Sequence, residues 1–223
     1  MKKKLISATI FLFIFLKLSA QDFISLKNIP TNLEIEVMNV NVNVIDTDDD
    51  FASYLAKLPK GNKLSCVENR GTFRVRSIYR TAGEITIKIP KTKTLERMRI
   101  VASLAQINIE NISAVHAQIL LTRGDISIKN CFFKTSNLTH NTGNLDFSAG
   151  VKSSAICISN VIGKVEYLGE TNDYHLDYAQ AHSKLAINGE TITIKQGMLG
   201  RPKAIKRVLL SVSASEANVT FPK

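Results

Sequence analysis

The sequence predicts an all-β fold, a single-stranded parallel β-solenoid (β-helix-like) with rungs of about 19–20 residues, because two sets of strand-like repeats interleave along it. In the first set, Ala105-Gln-Ile-Asn-Ile109, Gly124-Asp-Ile-Ser-Ile128, Gly143-Asn-Leu-Asp-Phe147, Gly163-Lys-Val-Glu-Tyr167 and Ser183-Lys-Leu-Ala-Ile187 begin 19, 19, 20 and 20 residues apart. Each reads small, polar, apolar, polar, apolar, the period-2 signature of a strand with one buried face behind a residue that tolerates a tight turn. In the second, Val115-His-Ala-Gln-Ile119, Lys134-Thr-Ser-Asn-Leu138, Ser154-Ala-Ile-Cys-Ile158 and Tyr174-His-Leu-Asp-Tyr178 are spaced by 19, 20 and 20. A unit this short cannot bury its own apolar face and must stack on its neighbours, strand over strand at about 4.7–4.9 Å. The inner columns are then Ile107, Ile126, Leu145, Val165 and Leu185 on one side, and Ala117, Ser136, Ile156 and Leu176 on the other. Alternate residues point outwards.

Taken in order, Met1–Ala20 has the make-up of a signal peptide. Lys2, Lys3 and Lys4 form a charged start, Leu5–Leu16 is an apolar stretch of 12 residues, and Leu18-Ser19-Ala20 offers a small residue for cleavage. The stretch is shorter than the ~20 residues that cross a bilayer. An uncleaved anchor is the competing reading, opposed by Lys17, and Gln21 stands where a lipoprotein needs cysteine. Residues 21–223 are expected to form one β-solenoid domain, with clear rungs over 105–187 and a closing rung over 208–221.

Upstream of the clear rungs, Leu33–Val37 and Val40–Val44 both alternate but with different parity, which requires a bulge or turn at Met38-Asn39. Phe51–Leu58 has some helical character, with Asp48–Asp50 as a cap or simply a turn. Strands follow over Gly71–Ile78 and Glu84–Pro90, the second ended by a proline that cannot donate to a ladder. Downstream, Gln196–Arg207 reads as a loop because of Gly197, Gly200 and Pro202. Strands resume at Val208–Val212 and at Ala217-Asn-Val-Thr-Phe221, read as one more copy of the small-first unit.

With these residues in hand the chain resembles the bacterial putative adhesin family (DUF4097-like), a β-solenoid domain of unknown function. The resemblance rests on the opening Val40-Asn-Val-Asn-Val44 pattern, on Ile85-Thr-Ile-Lys-Ile-Pro90 followed by Leu95, and on the recurring units like Gly124-Asp-Ile-Ser-Ile128. It covers about residues 33–221, and Ala105, Ser183 and Ala217 stand where that family often has glycine. It implies an exported β-solenoid with no established catalytic residues.

Charge narrows the partners. Loss of the signal segment removes four lysines from 29 basic residues, leaving 25 against 19 acidic, a net charge of +6 in place of +10. That basicity is spread along the chain with few aromatics between, which argues against nucleic acid. Three cysteines argue against a disulfide framework. Cys131 aligns with inner Ile112 and Val151, Cys157 with outward Gln118, Asn137 and Asp177, and the orientation of Cys66 is open.

Four sets of residues invite a chemical reading. Asp146 and Glu166 occupy equivalent outward positions on successive rungs, close enough for a glycan-cleaving carboxylate pair. Outward acids are also what a solvated strand carries, and no aromatic subsite accompanies them. Asp46, Asp48 and Asp50 open like a calcium loop, but Phe51 and Lys57 stand where glycine and glutamate are required. His116, His140, His175 and His182 lack metal spacing, and read as surface histidines, with His116 and His175 in one outward column three rungs apart. Lys195, Arg201, Lys203, Lys206 and Arg207 form the concentrated basic segment and are the candidate binding residues. The expectation is therefore an exported, non-enzymatic protein, periplasmic, on the cell surface or secreted, without a cofactor or metal. It would act as an adhesin or cell-envelope interaction protein, holding an anionic envelope polymer or another envelope protein. The alternatives are a polysaccharide-active enzyme using Asp146 and Glu166, and an envelope sensor or assembly component.

Overall fold

A computed structural model describes residues 22–77, 81–149 and 152–222, without the side chains of residues 148 and 149. The signal-peptide expectation for Met1–Ala20 lies outside these residues. The described chain is all-β. Its first strands are β1 (Ile24–Ser25), β2 (Asn32–Val37), β3 (Val40–Thr47), β4 (Ser53–Lys57), β5 (Leu64–Asn69), β6 (Thr72–Ser77) and β7 (Gly83–Pro90). The middle ones are β8 (Thr94–Leu104), β9 (Ile107–Glu110), β10 (Ser113–Arg123), β11 (Ile126–Lys129), β12 (Phe132–Thr142), β13 (Leu145–Ala149) and the long β14 (Lys152–Leu168). The last are β15 (Tyr174–Ala181), β16 (Lys184–Ile187), β17 (Glu190–Ile192), β18 (Gln196–Gly200), β19 (Lys206–Ser213) and β20 (Ser215–Thr220).

The strands build two walls. The first runs β5, β6, β2, β8, β10, β12, the front half of β14, β19, β15, β18. The second runs β1, β4, β7, β3, β9, β11, β13, the back half of β14, β20, β16, β17. Alternate side chains of both walls point inwards into one core, so the predicted columns are buried, from Ile107 to Leu185 and from Ala117 to Leu176. Burial of such aliphatic side chains is worth roughly 1.5–3 kcal/mol each and is the main force that stacks the rungs.

The central rungs pair in parallel as the repeat requires. His116 lies beside Thr135 and Thr135 beside Ala155, while Ile126 lies beside Leu145 and Leu145 beside Val165. The step from a 19- to a 20-residue repeat is absorbed by a register shift, since Ser127 pairs with Asp146 but Lys129 with Ala149. The corners between walls carry Gly124, Gly143 and Gly163, with φ of 130°, 132° and 143°. Each approaches the backbone of the rung before it so closely that a Cβ on Gly143 would stand 1.8 Å from the Gly124 carbonyl oxygen. The parity change at Met38-Asn39 is likewise a corner, made by Asn39 at φ 59°, and it lets β2 and β3 face the same core from different walls.

Several expectations need correction. The sheets are mixed, because β4, β5, β17 and β18 return antiparallel against the last parallel strands. Ser53–Lys57, within the stretch given some helical character, is one of these strands, and Gln196–Gly200, read as loop, is another. Chain order is also not spatial order. The C-terminal rung does not close the stack but slides in before the end, so Ala217 lies between Val165 and Leu185, and Val208 between Ile156 and Leu176. Ser215, beside Gly163, is the small corner residue of that rung, and Ala217 is its first apolar position. The N-terminal rung does the same at the other end, with β2 between β6 and β8 and β3 between β7 and β9.

Candidate functional site

The basic segment begins where the repeat stops. After β17 the chain turns back as β18, runs antiparallel along the outer edge of β15, and after a turn over residues 201–205 enters β19 on the opposite side of β15. The registers fix which side chains share the outer surface. Met198 lies opposite Asp177 and Asp177 opposite Leu209; Gly200 lies opposite His175 and His175 opposite Arg207. Along β19 buried and exposed residues alternate, so Arg207 and Leu209 face water while Val208, Leu210 and Val212 enter the core.

That alternation divides the five candidate cations. Lys195, Arg201, Lys203 and Arg207 are exposed, and Arg201 pairs with Asp173 at 3.5 Å. Lys195, Lys203 and Arg207 have no ion pair among the described residues. Lys206 departs from the expected solvated loop, being only 2% exposed, because it shares the inward parity of Val208. Its ammonium lies 3.4 Å from the Glu170 carboxylate and 5.7 Å from the centre of the Tyr167 ring. Burial lowers its pKa and Glu170 partly offsets that, so the lysine stands inside the end of the core beside a carboxylate. Tyr174 stacks on Phe221 at 3.5 Å and Phe221 meets Tyr167 edge-on at 5.9 Å, which packs the same corner.

The carboxylate pair is in register as expected, Asp146 beside Glu166. Glu166 is nevertheless committed to its own wall: Lys164 Nζ stands 3.0 Å from Oε1, and Asn218 Nδ2 donates to the same oxygen at 2.9 Å. The Asn218 contact ties β14 to β20. In the aspartate cluster, Lys91 Nζ lies 2.8 Å from Asp48 and 3.6 Å from Asp46, and Asn111 Nδ2 donates to Asp46 at 2.9 Å. These groups join loops rather than converge on an ion.

The histidine reading is corrected at His140, which is fully buried. Its Nε2 donates to the Gly124 carbonyl at 2.7 Å, which leaves Nδ1 to accept from Asn160 Nδ2 at 3.0 Å. Asn160 Oδ1 in turn accepts from the Ser215 hydroxyl. Burial pushes the imidazole pKa down, matching this neutral form. Strand parity carries the signal, since His140 is two residues after inward Leu138. His116 and His175 share an outward row, but Thr135, Ala155 and Arg207 now separate them because the C-terminal rung intervenes. All three cysteines are free; Cys131 is buried, its pKa raised to about 11 by burial, and Cys66 is half-buried beside Tyr54.

Comparison with known proteins places this architecture. A protein of Treponema pallidum (strain Nichols), described as uncharacterised, is 26% identical over 198 residues, covering 86% of this chain and 82% of its own. A putative cell adhesion protein from Clostridium sporogenes ATCC 15579 shares the fold at a TM-score of 0.50 and 8% identity, over 90% of this chain and 98% of its own. A putative adhesin from Bacteroides fragilis NCTC 9343 gives a TM-score of 0.48 at 10% identity, over 91% and 98%. The Toastrack DUF4097 family matches residues 30–188, from just before β2 to just after β16, and the chain belongs to that family.

Proposed function

We propose that this chain is an exported, non-enzymatic cell-envelope interaction protein whose recognition is electrostatic and centred on the outward cations of residues 195–207. The observation that carries the reading is the state of Lys195, Lys203 and Arg207: solvent-facing and without an ion pair among the described residues. By contrast, Arg74, Arg76 and Arg99 on the other end of the same wall are tied to Glu34 and Glu36. Unpaired, solvent-facing cations at this end of the wall are available to an anionic envelope polymer or an acidic envelope protein. The Clostridium neighbour is described as a putative cell adhesion protein, which agrees with this coarse role. Glu166, bound to Lys164 and Asn218, supports a structural use of the carboxylate pair over glycan cleavage.

Export is part of the proposal, with Met1–Ala20 removed and the protein held in the periplasm, on the surface or released. Among the described residues no helix is long and apolar enough to cross a membrane. Intact mass of the protein from its producing bacterium is expected to start at Gln21; retention of Met1 in the membrane fraction overturns export by cleavage. Binding to isolated envelope material is expected to weaken when Lys203 and Arg207 are both changed to glutamine, and to weaken with salt, because exposed charges are screened over ~8 Å at physiological ionic strength. Binding indifferent to both moves recognition to the strand walls.

A further inference from the structure

We propose that the same surface docks on an anionic lipid bilayer, with Met198 and Ile205 entering the headgroup layer between the cations. The inference rests on the electrostatic reading above and names its partner. Ile205, Met198 and Ile194, exposed by 81%, 71% and 65%, are the most exposed large apolar side chains of the described residues. Met198 and Ile205 fall inside the segment that carries the unpaired cations, and Ile194 immediately precedes it. Scattered apolar residues on a surface are ordinary. Here they are concentrated, and topology explains their exposure: β18 is an edge strand with no neighbour beyond it among the described residues, and Ile205 ends the turn that leads into β19.

Charge complementarity selects the occupant. Asp173 is paired with Arg201 at 3.5 Å and Asp177 lies 3.3 Å from His175, and Lys195, Lys203 and Arg207 outnumber Asp177, so the cations set the sign presented outwards. A protein partner would need a contiguous apolar patch with a recess for an anchor. These aliphatic side chains instead stand out singly, Met198 from β18 and Ile194 and Ile205 from the bends beside it, each within a few residues of a cation. That combination suits a bilayer interface, where cations meet anionic headgroups and aliphatic tips reach the acyl boundary.

The test uses protein purified from the producing bacterium, with wild type and variants sharing one N-terminus fixed by mass. Co-sedimentation is measured with vesicles of phosphatidylcholine alone and of phosphatidylcholine mixed with phosphatidylglycerol, and dextran sulfate serves as a soluble anionic polymer. Wild type is expected to bind the phosphatidylglycerol vesicles and not the neutral ones. Lys203→Gln with Arg207→Gln is expected to lower that affinity about 25-fold, at roughly five-fold per cation near an anionic surface. Met198→Ser with Ile205→Ser is expected to lower it about ten-fold or more while leaving dextran sulfate binding and the unfolding midpoint unchanged. Because the chain has no tryptophan, Met198→Trp gives a second readout, a blue shift of emission with phosphatidylglycerol vesicles and none with dextran sulfate. Dextran sulfate binding without vesicle binding, or vesicle binding untouched by the apolar pair and no blue shift, overturns lipid docking and leaves the electrostatic reading standing. Loss of binding to both overturns the two together. A concentration-dependent dimer that hides Met198 assigns the face to a second copy and also overturns it.

Discussion

At the residue scale the stack is held by side chains whose neighbours are copies of their own position. Phe147 is fully buried and meets the Tyr167 ring of the next strand at 6.4 Å. Phe147→Ala is expected to cost about 3–5 kcal/mol in chemical denaturation, the usual loss for a buried aromatic, and a change under about half a kcal/mol would contradict the register. His140 works through hydrogen bonds instead. Its folded pKa is depressed below the ordinary 6.5, so the unfolded chain binds a proton more readily than the folded one. Stability is therefore full above that ordinary value and is lost as pH falls through it, until the folded pKa is reached. Protonated Nδ1 would face the Asn160 amide with a donor against a donor, and Asp125 is the charge that opposes the depression. Unfolding midpoints measured from pH 8 to 5 in wild type and His140→Gln are expected to converge as pH drops. Parallel profiles would remove His140 from the pH response.

The elements show where a repeat decides structure and where it stops doing so. At the Gly143 corner a Cβ would meet a backbone oxygen at 1.8 Å, whereas one on Gly61, at φ 87°, would meet nothing within 4 Å. Gly61→Ala is expected to cost only the ~1–2 kcal/mol of a left-handed backbone, and Gly143→Ala clearly more, since two backbones must separate. Equal unfolding midpoints for the two variants would mean that the corners are not in contact. Strand parity made the inner columns, the Asn39 corner and the orientations of Cys131 and Cys157 legible in the sequence, and proline's missing donor did the same for the strand end at Pro90. The same parity places Lys206 and His140 inside, where residue type alone suggested water. The insertion of β19 and β20 was not legible, because Ala217 and Val208 fit any rung and nothing local distinguishes a penultimate place from a last one. The antiparallel strands were hidden in the same way: β4 and β18 are short, and Gln196-Gly-Met-Leu-Gly200 carries the composition of a turn. Of the candidate site, the cluster of cations was legible, but the exposure of Met198 depends on which strand lies at the edge, and that of Ile205 on where the turn ends.

Across the whole molecule, the two insertions set the order in which the stack can form. From β8 to β14 each rung contacts the next one in sequence, so loops of about one rung must close, at a modest entropic cost. The N-terminal rung waits for residues far along the chain, as when Asn108 Nδ2 donates to Asn43 Oδ1 across 65 positions at 2.9 Å. The C-terminal rung must in turn enter between β14 on one side and β15 and β16 on the other. The central rungs are therefore expected to form the folding nucleus, with both inserted rungs joining after the main barrier. Ile126→Val, Val42→Ala and Val219→Ala each shorten a fully or almost fully buried side chain in a comparable environment. In stopped-flow experiments Ile126→Val should mainly slow folding, while Val42→Ala and Val219→Ala should mainly speed unfolding. If all three slow folding in the same proportion, the stack closes in one concerted step and the nucleus is not central. If Val42→Ala alone slows folding, assembly starts instead at the N-terminal rung.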